Sequence, residues 1–267
     1  MSSLAMAMSD GFVVAKRNLI KIKRVPDILI WTTMSPIMFV LLFAFVFGGS
    51  IDIGAGVSYR EYLIAGVFAQ TVMFGSTFTG AGLADDMSKG IIDRFRSLPM
   101  SHSAVVFGRT ASDILYNSIS IAVMSITGLV VGWRIRTSFL AAVGGFLLLL
   151  TFAYAVSWIM AWVGLKVGNL EVVQNASFMV IMPLTFVANT FVRADALPGP
   201  LQTFAEWNPV SSVAQGVREA FGNVGSLPPP DVWSLRNPVL YTLIWVGIIL
   251  AIFVPLSIRQ FNKAAAR

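Results

Sequence analysis

Two uncharged stretches, Leu29–Phe47 and Val239–Ile258, decide what this chain can fold into. A helical apolar run of eighteen residues or more crosses a hydrocarbon core about 30 Å thick. Four further apolar runs lie between these two. Where lipid surrounds a chain, each backbone polar group has to be satisfied within its own helix or a closed barrel. The expectation is therefore an all-α polytopic membrane protein, one transmembrane domain over residues 1–267.

Charge agrees with that class. Only 12% of the residues are charged, against roughly a quarter in water-soluble domains. The net charge of +6 does not point to nucleic acid, because the basic residues gather at the ends of apolar runs and not among aromatics. No nucleic-acid partner is expected. There is no cysteine, which excludes disulfides and thiolate metal sites, and a single histidine, which argues against a His-based relay. A cleaved signal peptide is not expected, since the first apolar run is too long and lacks a small-residue cleavage site behind it.

Six spans are read at about 28–47, 61–83, 104–131, 138–163, 171–191 and 238–258. With both termini inside, thirteen Lys and Arg fall on the cytosolic side and six outside (Arg60, Arg134, Arg136, Arg193, Arg218 and Arg236). That asymmetry favours cytoplasmic N- and C-termini in a cell (inner or plasma) membrane. Before the first span, a helix over 8–25 sets Phe12, Ala15, Leu19 and Ile22 opposite Arg17, Lys21 and Arg24, the pattern of a helix lying in the interface. Before the last span, residues 199–222 read as an external broken helix. Asn208-Pro209 supplies an N-cap and a first-turn proline, Val210, Val213, Ala214, Val217 and Phe221 share a face, and Gly222 stops the helix. A pair that re-enters the outer half of the membrane fits best; a plain surface hairpin is the alternative.

Chemistry is sparse. His102 has no carboxylate in local register, and Asp85, Asp86 and Asp93 interleave with Lys89, Arg94 and Arg96 as solvated i,i+4 pairs. No metal site and no catalytic residue is expected. None of the six lysines follows a glycine, so a phosphate-binding loop of the G-x-x-x-x-G-K-[ST] type is excluded. The chain binds no nucleotide cofactor on this reading, and any ATP-driven step needs another chain.

The stretch 85–98 is read as a short cytosolic helix. Ile91, Phe95 and Leu98 form an apolar stripe, Lys89, Asp93 and Arg96 lie elsewhere, and Pro99 ends it. Exposed apolar groups in that pattern call for a partner, or pack back on the chain's own bundle. The run from Asp86 to Ser101, with Gly90-Ile91-Ile92-Asp93-Arg94-Phe95-Arg96-Ser97-Leu98-Pro99, resembles the cytosolic signature of type 2 ABC-transporter permeases, especially the daunorubicin-resistance type. The resemblance continues in Pro183-Leu184-Thr185-Phe186, Ala196–Leu201, Asn208-Pro209-Val210 and Gly216-Val217-Arg218. His102 stands where relatives often carry a basic residue.

The resemblance implies that the 85–98 helix couples to a separate ATPase subunit, which carries ATP and Mg. It makes Gly90, Ile91, Arg94, Phe95, Arg96, Leu98 and Pro99 the docking surface, with the interfacial helix and the turn at Lys166–Glu171 as further contacts. It implies an exporter permease, pairing as a homodimer in the bilayer, for drugs, antibiotics or lipid-like compounds. A polysaccharide or lipid-linked glycan exporter is the nearest alternative, and a membrane-embedded transferase is the alternative from another class. Along the third span, Asp113, Asn117, Ser120, Met124 and Thr127 recur on one face; helix packing is favoured there, with Asp113 paired to Arg109. Phe39, Phe43, Phe74, Phe78, Asn175, Met179, Met182 and Asn189 are read as a substrate path, adaptable apolar groups with a few polar ones.

Overall fold

The computed structural model describes residues 34, 36–47, 53–54, 56–92, 102–228 and 230–264, and at 47, 102–104 and 264 the backbone only. The expected interfacial helix, with Arg17, Lys21 and Arg24, and the start of the first expected span lie outside the described residues. Among the described residues all regular structure is helical. Helix α1 (Pro36–Val46) closes in a π-helical turn, Phe43–Phe47. Then follow α2 (Tyr59–Ser88), α3 (His102–Val131), α4 (Phe139–Val167) and α5 (Leu170–Phe186). A 3₁₀ turn (Ala194–Ala196) leads to α6 (Gly199–Trp207), α7 (Pro209–Phe221), α8 (Trp233–Arg236) and α9 (Pro238–Ala264).

Among the described residues four helices are long and apolar enough to cross a membrane: α2, Val105–Val131 of α3, α4, and Pro238–Lys263 of α9. The described part of the first expected span and the fifth are shorter, at Pro36–Val46 and Leu170–Phe186. At 1.5 Å per residue, α5 reaches only about 25 Å. Its expected final turn is unwound, and residues 187–190 run as irregular backbone.

α2 is the hub. It packs on α3, α4, α5, α7 and the end of α1, and 83% of its most apolar window is buried, against 22% for α9. That burial explains its polar content: Ser76 donates to the Ala153 carbonyl of α4 at 3.0 Å, and Thr79 donates to Asp113 of α3. Polar groups inside the bundle bond protein, as a lipid-facing position would forbid. The α2–α4 contact is made by glycines. A Cβ on Gly164 would fall on the Gly80 carbonyl oxygen, and one on Gly80 would meet the Met160 carbonyl oxygen. Small residues let the two backbones touch, which is how helices associate where no water is expelled.

The bundle has two distinct ends. Arg60, Arg134, Arg136 and the α6–α8 cap share one. Lys89, Arg109, Lys166 and Arg259 share the other, where Gln260 reaches the Leu165 carbonyl at 3.4 Å. Charge is thus sorted between the ends as loop counting grouped it.

Replacing Gly164 by Ala sets a methyl against backbone that cannot rotate away, and overpacking of this kind costs about 1–3 kcal/mol. A lower thermal midpoint in detergent is the expected result; an unchanged midpoint would show that the helices do not touch there.

Candidate functional site

Four helices leave a cavity between them. Its volume is about 260 Å³, and its wall brings together Phe39 of α1, Phe74 and Phe78 of α2, Tyr116 of α3, and Phe178 and Met182 of α5. The rings pack on one another: Phe74 and Phe178 centroids lie 6.0 Å apart, Phe78 and Tyr116 5.1 Å. Four residues of the expected path, Phe39, Phe74, Phe78 and Met182, therefore share one surface. The other four do not line it. Phe43 stacks behind Phe39 at 6.1 Å and on Phe191 at 4.6 Å. Asn175 and Met179 sit on the outward face of α5, Met179 with 76% of its surface exposed. Asn189 lies in the unwound segment and borders a different cavity. The helical period explains the split: α5 is seventeen residues long and only Val173, Ser177, Ile181 and Thr185 form its buried stripe. Tyr116 and Gln70, also on the wall, do not stand out in sequence, because the polar residues beside them, Asn117 and Thr71, give no spacing that marks a shared surface.

The polar face of α3 packs as helix glue at its first half. Asp113 and Asn117 are buried, Arg109 Nε lies 4.0 Å from Asp113, and Arg109 Nη2 donates to the Phe78 carbonyl at 2.7 Å. Ser120 is buried too and touches the cavity wall.

At the end that carries Arg60 and Arg136, the break between α6 and α7 falls at Asn208. Its side chain accepts from the Val210 N–H at 2.9 Å and donates to the Leu184 carbonyl at 2.7 Å. Pro209 opens α7, Gly222 closes it at φ +72°, and Val210, Val213, Ala214, Val217 and Phe221 are all fully buried. Beside them Arg218 is fully buried as well. Its Nε donates to the Tyr62 carbonyl at 3.1 Å, and its Nη2 to the Asn189 and Thr190 carbonyls at 2.6 and 3.1 Å. The guanidinium also lies 3.5 Å over the Tyr62 ring. Desolvation lowers its pKa from the ordinary arginine value, yet the side chain remains a cation. Among the described residues no carboxylate answers it; backbone carbonyls and a ring face do. A Cβ on Gly66 would strike the Thr190 carbonyl oxygen, so glycine lets the unwound backbone come this close to α2.

A second cavity of about 440 Å³ opens nearby, bordered by Asn189, Arg193, Glu206, Glu219 and Asp231. The turn between α3 and α4 clips onto this end. Trp133 Nε1 donates to Asn223 at 2.7 Å, and Arg136 holds Glu61 at 2.7 Å, which raises the Arg136 pKa.

At the opposite end, the expected 85–98 helix is divided. Asp85–Ser88 are the last turn of α2, with Lys89 Nζ on Asp85 at 2.8 Å. Gly90 then takes φ +64°, a left-handed conformation that glycine adopts without steric penalty, and a new helical turn begins at Ile91. Ile92 anchors that turn in a cluster with Leu83, Val106, Trp158 and Phe261, while Ile91 stays half-exposed. Arg94, Phe95, Arg96, Leu98 and Pro99 lie outside the described residues. The Lys166–Glu171 turn is adjacent: a Cβ on Gly168 would touch Met87 Cε at 3.5 Å, and Asn169 caps α5 by accepting from Val172 N–H at 3.1 Å.

Comparison with known proteins gives the family of the chain. The sequence profile of the ABC-2 type transporter family matches residues 11–221. The daunorubicin resistance ABC transporter permease protein DrrB1 of Streptomyces coeruleorubidus is 31% identical over 262 residues, covering 98% of this chain and 89% of its own. The probable doxorubicin resistance ABC transporter permease protein DrrC of Mycobacterium tuberculosis is 23% identical over 84% of this chain and 78% of its own. The putative transport permease ycf38 of Cyanophora paradoxa is 22% identical over 96% of this chain and 89% of its own.

Arg218→Lys keeps the charge but cannot reach three carbonyls with a planar fork. Hydrogen bonds to a charged group contribute about 1.5–3 kcal/mol each, so loss of even one lowers stability measurably. The expected readout is a thermal midpoint several degrees lower; Arg218→Lys melting with the wild type would refute the clamp.

Proposed function

The chain belongs to the ABC-2 type transporter family, and on that premise we propose that it is the permease of an ATP-driven exporter for hydrophobic or amphipathic compounds, drug-, antibiotic- or lipid-like. The observation that carries this is the aromatic cavity walled by α1, α2, α3 and α5, an apolar space with few polar groups of the kind small-molecule sites use. The names of the relatives point the same way, since two are drug-resistance permeases.

Energy comes from a separate ATPase subunit that holds ATP and Mg. Gly90, Ile91, Arg94, Phe95, Arg96, Leu98 and Pro99 form the docking knob, with the Lys166–Glu171 turn and the interfacial helix carrying Arg17, Lys21 and Arg24 beside it. Support comes from the adjacency of Gly168 to Met87 and from the half-exposed Ile91 just past the Gly90 turn. The permease works as a homodimer with six spans per chain, both termini cytoplasmic, in the cell membrane. The sorting of basic residues between the two ends supports that orientation. The α6–α7 pair dips into the outer half of the membrane. What supports this is that its backbone break and the unwound 187–190 segment are buried in protein, the condition for irregular backbone at depth. Transport proceeds as closure of the ATPase pair pushes the knob and rocks the spans around the cavity.

Reconstitution with the ATPase should give ATP-dependent movement of an amphipathic dye across proteoliposomes, lost when the ATPase is catalytically dead; movement indifferent to ATP would overturn the exporter reading. Phe95→Asp or Leu98→Asp should abolish co-purification with the ATPase while membrane insertion is kept. Complex recovered at wild-type yield would refute the knob.

A further inference from the structure

Among the described residues on the wall of the aromatic cavity, a glutamine carries a fully buried amide nitrogen that the packing leaves unsatisfied. It is Gln70, with 4% of its surface exposed, and its Nε2 has no hydrogen-bond partner. Its polar neighbours on the same stretch of α2 are settled locally: Thr71 Oγ1 donates to the Val67 carbonyl and Thr77 Oγ1 to the Phe74 carbonyl, both at 2.7 Å. A buried amide with an unmade hydrogen bond destabilises the fold, and natural interiors keep few of them. Such a group on the wall of a cavity is the kind that a bound molecule completes.

The remaining wall describes that molecule. Phe74, Phe78, Tyr116 and Phe178 present ring faces and edges, which favour stacking with another flat ring. An apolar cavity of about 150 Å³ takes one benzene, so about 260 Å³ has room for a fused bicyclic system. The torsion that turns a glutamine amide is broad and two-fold, so either its N–H or its oxygen can face the occupant.

We propose that Gln70 is the polar anchor of a ligand site in this cavity, and that the site takes the planar fused-ring part of a compound with a carbonyl or similar acceptor set on the Gln70 amide. This deepens the exporter reading and rests on it: Gln70 selects among exported compounds. A saturated lipid tail fills the volume but leaves the amide unpaired, and a site built to hydrogen-bond a group discriminates against the analogue that lacks it.

The test is a matched pair of probes, 2-acetylnaphthalene and 2-ethylnaphthalene, alike in shape and different in one carbonyl. Binding is measured by equilibrium dialysis to the purified permease in nanodiscs, with empty nanodiscs as the reference for partition into lipid. The wild type should favour the ketone by about fivefold beyond the lipid reference, the ratio one net hydrogen bond supplies. Gln70→Met, close in volume, should bring the ratio back to that of lipid while 2-ethylnaphthalene still binds. Met182→Trp, which fills the cavity from α5, should remove binding of both. A ketone preference that survives in Gln70→Met overturns the proposal, as does a wild type with no preference or with no binding beyond lipid. ATP-dependent export is scored separately with the ATPase present, so the anchor can fail while the exporter stands, and the reverse.

Discussion

The fold turns on how a length of unwound chain is kept inside an apolar bundle. Residues 187–190 have left α5 and offer carbonyls to which, among the described residues, no backbone N–H donates, at a place where Ala188, Asn189 and Thr190 are buried. Arg218 supplies the missing donors from α7 and ties the segment to α2 through the Tyr62 carbonyl and ring. Burying a cation without a carboxylate is costly unless its donors are used. Here two of the three guanidinium nitrogens are used, and the ring face serves in place of a counter-ion. Gly66 is the geometric partner of this arrangement, because only a residue without a Cβ admits the Thr190 carbonyl.

From that clamp the layout follows. With α7 held against α2 and α5, its apolar stripe closes that end of the bundle, and the α3–α4 turn clips on through Trp133, Asn223 and Arg136. Glycine contacts bring α4 onto the other side of α2. α5 is drawn in along one narrow stripe only, and the space between its Phe178 and Met182 and the α1–α3 aromatics remains open as the cavity. The same constraints that stabilise the Arg218 end thus define the bounds of the aromatic cavity.

Much of this was legible in the residues. The uncharged run Val239–Ile258 and the Asn208-Pro209 break carry their own physics, in span length and in capping, and they reappear inside α9 and as the start of α7, while Leu29–Phe47 is described only over its second half, as α1. The Arg109–Asp113 pairing was legible for the same reason, since i,i+4 spacing is local. What sequence could not supply was non-local. Arg218 read as one more external charge, because its partners are carbonyls 28 to 156 residues away. Asn175 and Met179 share a helix with Met182 but face outward, and apolar helices in lipid give no amphipathic signal to say so. The Asp85–Lys89 pair is solvated as read, but the start expected for the 85–98 segment was misplaced, because Asp85–Ser88 finish α2 before the left-handed turn at Gly90.

α2 is unbroken over thirty residues, from Tyr59 beneath the Arg218 clamp to Ser88 beside the Gly90 turn, with Gln70, Phe74 and Phe78 about its midpoint. A rod of that kind is stiff along its axis and about 45 Å long at 1.5 Å per residue. A load applied at one tip has no joint at which to dissipate. It arrives at the other tip as a tilt or a turn of the whole rod, and the three side chains at its waist are carried through an arc in proportion.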